Sequence, residues 1–352
     1  MIRPRPALDH LHAYRPGRPP GARPDVNLAA NENAWGPSPR VSDAILQVGV
    51  PSRYPELGGL DLAAALGEHL SVSPAHLLFG TGSGHLIKCI AETYLMPDDP
   101  VLTVFPTFSL YAHDARLMGA RVTELSGDGH TVPWERLPDR VTEVRPRLVF
   151  LASPNNPTGD ALPPPILDEV LARLPDESLL VIDEAYVHFS DDLAGFTPRI
   201  LREERLAVLR TFSKAFGLAA YRVGALAAAP EIIEAVGKVR EPFPLSAVGV
   251  VAATAALADE DYTAMVVRAT REGRDRLTRE LGRRGWTVGA SAANFVWARP
   301  PRGQTADDIR GELAEGGVLV RAGAGFGVTD HLRITVGTPE ELDRLFVALD
   351  RR

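Results

Sequence analysis

The stretch Leu179-Leu180-Val181-Ile182-Asp183-Glu184-Ala185-Tyr186 is an unbroken apolar run that ends in two acids. Such a run is typical of a strand buried on both faces of a parallel sheet. Because ligands bind outside the carboxyl ends of the strands in open α/β sheets, we predict that Asp183 faces a binding crevice. There its carboxylate could keep the nitrogen of a pyridine ring protonated, which makes the ring an electron sink. A helix cap or a metal ligand are the alternatives, although no Asp or His spacing nearby indicates a metal site.

Short apolar runs flanked by Pro, Gly and Asp recur on both sides of this stretch. Between about residues 42 and 240 they alternate with helical patterns, which indicates strands joined by crossover helices. The predicted strands are 77–80, 101–105, 122–125, 148–152, 179–183, 207–210 and 224–228. The fold class that follows is α/β, with a mostly parallel central sheet covered by helices.

The pattern changes after Pro244, where we predict a nearly continuous helix over 246–284 that is interrupted near 259–261. A smaller α+β unit follows, with a strand at 293–298, a helix at 305–314, strands at 318–321 and 331–336, and a final helix capped by Thr338. The first forty residues are rich in Pro, Gly and Arg and are predicted to form an extended arm that is ordered only against another surface. The chain thus divides into an N-terminal arm (1–44), a large domain (45–245) and a small C-terminal domain (246–352).

The composition narrows the classes of partner. The 352 residues carry a formal net charge of −7 and no block of Lys or Arg, so we expect neither nucleic acid nor a membrane surface as a partner. Cys89 is the only cysteine and lies in an apolar helical pattern, which predicts a core residue. The sequence shows no signal peptide and no apolar run long enough to span a bilayer, so we predict a cytoplasmic protein.

Residues 211–217 read Thr-Phe-Ser-Lys-Ala-Phe-Gly, and Arg222 follows eight residues after Lys214. This pattern suits a lysine that holds a phosphorylated aldehyde as a Schiff base. Thr211, Ser213 and Arg222 would supply hydrogen bonds and charge to the phosphate. Taken alone, the segment could equally be a surface Ser-Lys pair.

Two more loops follow predicted strands and are expected at the same edge of the sheet. In Ser153-Pro154-Asn155-Asn156-Pro157-Thr158-Gly159 the prolines would aim Asn156, which could donate to a phenolate oxygen together with the Tyr186 hydroxyl. A plain Asn-Pro turn is the alternative. Gly80-Thr81-Gly82-Ser83-Gly84-His85 stands between a strand and a helix, where backbone N–H groups form a phosphate site. Its spacing fits neither a dinucleotide fingerprint nor a nucleophile elbow.

Three further side chains are candidates for contact with a ligand. Phe108 follows the predicted strand 101–105 and could stack on a flat ring or belong to the core. Arg321 and Arg333 each lie in an otherwise apolar strand, where a charge is costly unless it is paired or functional. Their guanidinium groups would bind a carboxylate or a phosphate, or form salt bridges between the domains.

Taken together, these segments resemble the fold-type I pyridoxal-phosphate aminotransferases, and within them the histidinol-phosphate aminotransferase branch. The resemblance runs along nearly the whole chain. The matching segments are 14–17 (Tyr-Arg-Pro-Gly), 31–39 (Asn-Glu-Asn-Ala-Trp-Gly-Pro-Ser-Pro), 53–55 (Arg-Tyr-Pro), 80–83, 106–109, 153–159, 183–186, 213–217 and 333–338.

The resemblance implies an aspartate-aminotransferase-like fold, pyridoxal 5'-phosphate as the cofactor and an obligatory homodimer; the sequence itself offers no metal-ligand spacing, so no metal is expected. It implies that Lys214 forms the Schiff base and later moves the substrate proton, while Asp183 pairs with the pyridine nitrogen. Asn156 and Tyr186 would bind the ring oxygen, and Phe108 would stack on the ring.

The resemblance also assigns the two anionic ends of the site. The cofactor phosphate would be held by Ser83, Gly84, Thr211, Ser213 and Arg222, with Tyr54 reaching it from the neighbouring subunit. The substrate's phosphate or carboxylate would face Arg321, Arg333 and Tyr14 of the arm.

The chain departs from the family at Gly84-His85, where an Asp-Glu pair is usual. The phosphate contacts there are largely made by the backbone, so cofactor binding should survive the change. Relatives that act on aromatic amino acids also vary at this position, so the departure bears on the substrate.

The favoured reaction is the conversion of histidinol phosphate and 2-oxoglutarate to imidazole acetol phosphate and glutamate, a step of histidine biosynthesis. Transamination of aromatic amino acids and decarboxylation of a phosphorylated amino acid stay open. A regulator built on this fold would need an appended DNA-binding domain, which the short, Pro-rich arm does not provide. A catalytically inactive interaction protein is disfavoured because Lys214, Asp183 and Asn156 are all present.

Overall fold

The computed structural model describes residues 5–8, 11, 24–49, 52–55, 59–192 and 195–351. The strands are β1 (Val26–Leu28), β2 (Leu77–Thr81), β3 (Pro100–Phe105), β4 (Arg121–Ser126), β5 (Leu148–Ala152), β6 (Leu179–Asp183), β7 (Leu206–Thr211), β8 (Val223–Ala227), β9 (Thr287–Val288), β10 (Phe295–Arg299), β11 (Val318–Ala322) and β12 (Leu332–Thr335). The helices are α1 (Pro39–Ile45), α2 (Leu60–Leu70), α3 (Ser83–Tyr94), α4 (Leu110–Leu117), α5 (Leu137–Val144), α6 (Pro164–Arg173), α7 (Pro230–Gly237), α8 (Ala247–Leu257), α9 (Glu260–Arg283), α10 (Ala306–Glu315) and α11 (Pro339–Asp350).

The central sheet of the described chain has the strand order β2-β8-β7-β6-β5-β3-β4. Neighbouring strands from β7 through β4 run parallel, whereas β8 is antiparallel to both β2 and β7. Each strand predicted in this region is present, with ends that differ by one residue at most. The predicted α/β fold with a mostly parallel sheet is therefore confirmed.

Apolar clusters on the two faces of this sheet form its core. Alternate strand residues point to opposite faces, so Val149 and Ile182 belong to one cluster and Phe150 and Val181 to the other. Cys89 is buried in the second cluster, which confirms its prediction as a core residue. Since both faces are covered, ligands can reach the sheet only at its edges and strand ends.

The smaller sheet has the strand order β1-β11-β12-β10-β9. The predicted C-terminal strands and helices are present, with the interruption between α8 and α9 and the capping box of Thr338 at the start of α11. The two-residue strand β9 was not predicted. Strand β1 belongs to the predicted arm and pairs in parallel with β11, with Val26 opposite Val318. This pairing was not predicted, because three residues of strand carry too short a pattern to recognise.

The predicted division at residues 44 and 245 stays a prediction. Helix α8, just beyond the second boundary, packs against α1, α2 and β8, and its Ala252 and Ala256 lie in a core cluster of the central sheet. Helix α9 instead reaches the smaller sheet, where Leu277 and Leu281 are buried. Among the helices in the described ranges, none has the length and apolar character needed to cross a membrane.

Candidate active site

A cavity of about 460 Å³ lies at the carboxyl edge of the central sheet, between that sheet, the smaller sheet and the arm. The parallel strands β2, β3, β5, β6 and β7 all end at this edge, and the antiparallel β8 begins there. Loops far apart in the sequence therefore converge on one space. The predicted site residues among those lining it are Ser83, Gly84, Phe108, Asn156, Asp183, Tyr186, Thr211, Ser213, Lys214, Arg222, Arg321 and Arg333.

Lys214 enters the cavity from the loop after β7. Its Nζ donates to the carbonyl oxygen of Ala30 at 3.2 Å and lies 5.7 Å from the centre of the Tyr186 ring. Burial, aided by the charge of Arg333, lowers the pKa of the Lys214 amine to about 8. A large share of the amine is therefore neutral at slightly alkaline pH, as a nucleophile toward an aldehyde requires.

Asp183 lies at the end of β6 and is buried at the floor of the cavity. Its Oδ2 accepts a hydrogen bond from the Tyr111 hydroxyl at 2.9 Å, and its Oδ1 accepts one from the Ala185 N–H at 3.0 Å. Burial raises the pKa of Asp183 to about 6, against the opposing effect of these two donors. A cation placed beside this carboxylate would favour its charged form.

The opposite end of the cavity is suited to an anion. Helix α3 begins at Ser83 and directs its first N–H groups there, and Ser213 and Arg222 lie alongside. Gly82 has a φ of 80°, which favours glycine, and a Cβ there would lie 2.4 Å from the Arg222 guanidinium, so the glycine leaves this arginine room beside the loop. The Thr211 hydroxyl donates to the Ser213 hydroxyl at 3.1 Å, which orients both at the same end.

The departure at Gly84-His85 has a structural account. The His85 Nδ1 accepts the N–H of Thr81 at 3.2 Å, and burial lowers the pKa of His85, so the ring stays a neutral acceptor. Gly84 lets the Leu110 side chain approach, because a Cβ there would lie 3.2 Å from it. His85 therefore holds the loop before α3 together, and the anion-facing N–H groups do not depend on an acidic pair.

Arg321 and Arg333 lie directly opposite each other on the antiparallel strands β11 and β12. Arg333 is only 6% exposed and donates to Asn156 Oδ1 and to the Ala29 carbonyl oxygen, both at 2.6 Å. Both of these acceptors are neutral, so these two contacts leave the positive charge of Arg333 in place. Phe326 lies within 5.7 Å of both guanidinium groups.

One predicted site residue of the described chain, Tyr54, does not line the cavity. Tyr54 is 81% exposed and stacks on Phe243 with 4.6 Å between the ring centres, on the outer surface of the chain. Tyr14 lies outside the described residues. In the described part of the chain, no group of three or more His, Cys, Asp or Glu side chains is placed to hold a metal ion.

Two contacts of the site were missed from the sequence. Tyr111, which donates to Asp183, stands in the first turn of α4, three residues after Phe108, and the two ring centres are 5.6 Å apart. This short spacing from a predicted site residue could have indicated it. Asn31, whose amide donates to the Tyr186 hydroxyl at 2.9 Å, lies in a recognised motif but had no assigned role. The sequence carried no signal for that contact, since 155 residues separate its partners.

The profile of the family described as "Aminotransferase class I and II" matches residues 23–349. This chain belongs to the class I and II aminotransferases. It is similar to histidinol-phosphate aminotransferase 2 of Carboxydothermus hydrogenoformans, with 36% identity over 95% of this chain and 95% of the relative. It is equally similar to an aromatic amino acid aminotransferase of Mycolicibacterium smegmatis, with 36% identity over 97% of this chain and 93% of that relative.

A solved structure of histidinol-phosphate aminotransferase from Sinorhizobium meliloti, in complex with pyridoxal-5'-phosphate, has the same fold. The TM-score is 0.90, with 30% sequence identity over 100% of this chain and 97% of the other. The aspartate-aminotransferase-like fold predicted for this aminotransferase is therefore confirmed.

The donor set of this aminotransferase fits pyridoxal phosphate. The buried Asp183 carboxylate would be stabilised by a protonated ring nitrogen, and the Lys214 amine is available to an aldehyde. The Arg222 guanidinium, which passes beside Gly82, and the N-terminus of α3 suit a phosphate. The remaining donors, on Asn156 and Tyr186, line the space between these groups.

Proposed function

We propose that this chain catalyses the transamination of histidinol phosphate with 2-oxoglutarate, giving imidazole acetol phosphate and glutamate in histidine biosynthesis. The observation that carries the proposal is the pair Arg321 and Arg333, side by side in the same cavity as the Lys214 amine. Such a pair provides an anion site for a substrate that bears a phosphate or a second carboxylate.

When bound, pyridoxal phosphate supplies a ring that takes up the electron pair released at the substrate's α-carbon. Lys214 anchors the cofactor and then carries the proton to and from that carbon. Asp183 holds the proton on the ring nitrogen, and Tyr111 keeps the carboxylate aimed at it. Phe108 would stack on the ring, and Asn156 and Tyr186 would donate to the ring oxygen.

The phosphate of the cofactor is held at the other end of the cavity. Ser83 and the amide of Gly84 provide donors at the start of α3, and Thr211, Ser213 and Arg222 complete the set. The N-terminus of a helix and a guanidinium group both favour a dianion. These contacts would hold the cofactor within reach of Lys214 and Asp183.

The two arginines serve the two half-reactions in turn. Arg333 is the more buried and is already held by Asn156 and Ala29, so it is placed to grip a carboxylate near the reacting carbon. Arg321 is more open and its guanidinium lies over the ring of Phe326, so it is placed to bind the distal phosphate of the amino donor or the distal carboxylate of 2-oxoglutarate. We also propose Tyr14, which lies outside the described residues, as a substrate contact, because the family resemblance implies it.

An aromatic amino acid is the second candidate donor. The aromatic side chain of Phe326 borders both arginines, and the relative in Mycolicibacterium smegmatis carries the name of an aromatic amino acid aminotransferase. An uncharged ring could pack there in place of an imidazole.

We further propose that the enzyme is a homodimer in the cytoplasm. The supporting observation is the exposed aromatic pair of Tyr54 and Phe243, because an aromatic surface pair is typical of an interface. In the dimer, Tyr54 reaches the cofactor phosphate of the partner subunit.

The substrate proposal is tested with a panel of amino donors, each assayed with 2-oxoglutarate. Histidinol phosphate should be the best donor, and Arg321→Ala should lower its kcat/KM about ten- to a hundredfold, since a hydrogen bond to a charged group is worth about 1.5–3 kcal/mol. The kcat/KM of Arg321→Ala for phenylalanine and tyrosine should fall far less.

Arg310→Ala serves as the matched control, because Arg310 lies on the outside of α10 and pairs with Asp307. This substitution should leave kcat/KM unchanged for every donor. If phenylalanine or tyrosine is the good donor of the wild type and histidinol phosphate a poor one, the second candidate is correct.

A further inference from the structure

We propose that Asn31 is a positioning residue that fixes the direction of the Tyr186 O–H bond, so that this hydroxyl donates into the cavity. The inference rests on the proposed function, in which Tyr186 donates to the ring oxygen of the cofactor. It assigns a role to a residue of the arm that does not itself need to touch the substrate.

Three consecutive residues of the arm, 29–31, each make a hydrogen bond to one functional side chain. The carbonyl oxygen of Ala29 accepts from Arg333, that of Ala30 accepts from Lys214, and the side-chain amide of Asn31 donates to Tyr186. Adjacent residues that each hold one member of the site indicate a segment built to position it.

Asn31 itself is fixed on several sides. It is 1% exposed, and its backbone has a φ of 53°, a left-handed conformation that Asn adopts more readily than most residues. Its N–H donates to the Thr335 hydroxyl at 3.0 Å, and its carbonyl oxygen accepts from the Asn294 side chain at 3.2 Å. The side chain therefore has little freedom to turn.

The contact with Thr335 decides which end of the Asn31 amide faces Tyr186. Thr335 accepts the backbone N–H of Asn31 and donates its single hydroxyl proton to Asn31 Oδ1 at 3.0 Å. In the reverse orientation Thr335 would receive two N–H groups, and its buried proton would lose this acceptor. The amide NH₂ of Asn31 therefore points to Tyr186.

The Tyr186 hydroxyl consequently acts as an acceptor toward Asn31. Because a hydroxyl has one proton, that proton is directed away from Asn31, and Tyr186 lines the cavity close to Lys214. A donor that is oriented before the ligand arrives need not reorganise when charge develops on the ring oxygen. Asn31 thus contributes to the site through Tyr186.

The sharpest test reverses this hydrogen bond. In Asn31→Asp the side chain keeps its shape and tolerates the same backbone conformation, but it can only accept, so the Tyr186 proton turns toward it and away from the cofactor. Asn31→Gly also permits the positive φ and simply removes the contact. Tyr186→Phe removes the hydroxyl itself.

The readouts are the dissociation constant of pyridoxal phosphate, from titration of the apoprotein, and the pH at which the absorbance of the bound cofactor changes. Tyr186→Phe should weaken cofactor binding about tenfold. Asn31→Asp should weaken cofactor binding to a similar extent and should move the pH of the spectral transition in the same direction as Tyr186→Phe does. The dissociation constant of Asn31→Gly should lie between those of Asn31→Asp and the wild type. The double variant Asn31→Asp with Tyr186→Phe should be no worse than Tyr186→Phe alone.

Asn33→Ala is the matched control from the same segment, since its amide donates to the carbonyl oxygens of Gly36 and Ala215 and not to Tyr186. Its effect should add to that of Tyr186→Phe. Thermal unfolding of each apoprotein shows that the variants are folded.

Additive losses for Asn31→Asp and Tyr186→Phe would overturn the role of Asn31 and leave the proposed function standing. If Tyr186→Phe changes neither readout, the role of Tyr186 fails together with that of Asn31. A wild type that binds the cofactor but transaminates no donor contradicts the proposed function alone.

Discussion

The substitution Arg333→Lys tests how the site uses a buried arginine. The guanidinium reaches Asn156 Oδ1 and the Ala29 carbonyl oxygen through two different nitrogens, both at 2.6 Å. A lysine keeps the charge but cannot span these two acceptors and also present a fork to a carboxylate. Losing one charge-assisted hydrogen bond costs about 1.5–3 kcal/mol, so kcat/KM for 2-oxoglutarate should fall about ten- to a hundredfold.

The assay is the half-reaction of the amino form of the enzyme with 2-oxoglutarate, followed by the absorbance of the bound cofactor. The cofactor dissociation constant is measured in parallel, because a freed Asn156 should weaken it by less than the loss in kcat/KM. Arg274→Lys is the control: Arg274 is partly buried and likewise donates to two neutral acceptors, the carbonyl oxygens of Phe189 and Ala293, but it does not line the cavity. Arg274→Lys should lower the thermal stability of the protein and leave kcat/KM for 2-oxoglutarate unchanged.

An Arg333→Lys enzyme that keeps kcat/KM for 2-oxoglutarate within about twofold of the wild type would refute this reasoning. The carboxylate would then have to be bound elsewhere in the cavity.

Three further changes follow from the site. Asp183→Asn should leave less than about a tenth of the turnover, because an amide cannot stabilise a protonated pyridine. In the apoprotein the same substitution should raise the melting temperature more near pH 7 than near pH 4. The sign follows from burial, which raises the pKa of Asp183 to about 6, so the folded state binds the proton more tightly than the unfolded chain and stability falls as pH rises toward that value. The rate at which the apoprotein captures pyridoxal phosphate should rise with pH and level off above about 8, where the Lys214 amine is neutral. The rate is measured by stopped-flow absorbance, and a rate that does not change with pH would contradict the role of Lys214 as the nucleophile. If Tyr54→Phe impairs the enzyme, mixing its subunits with Lys214→Ala subunits should restore activity, since each heterodimer has one intact site; sedimentation as a monomer would rule out the proposed dimer.

Local pattern was enough to predict the central sheet. The run from Leu179 to Asp183 is apolar throughout and ends at an acid, and this pattern predicts both a buried strand and a side chain at its carboxyl end. The same reasoning brought Asn156, Lys214 and Ser83 to one edge, because parallel strands end together. Motif resemblance then supplied their chemical roles.

The contacts that the sequence did not indicate join residues far apart in the chain. Asn31 meets Tyr186 and Thr335, and Arg333 meets Ala29, only because β1 pairs with β11 and carries the arm over the cavity. No periodicity records a hydrogen bond between segments about 150 to 300 residues apart, since each partner alone fits an ordinary loop or strand. The orientation of a hydroxyl is likewise a property of the assembled site.

The central claim is that the amine of Lys214 carries the cofactor, and it is tested most directly by borohydride reduction followed by peptide mapping. The purified protein, loaded with pyridoxal phosphate, is reduced, digested and analysed by mass spectrometry. We predict a single pyridoxyl group on Lys214 in the wild type and none in Lys214→Ala, which should still bind the cofactor through Asp183 and the phosphate contacts. A pyridoxyl group on another lysine, or no label on the wild type after incubation with the cofactor, would contradict the account.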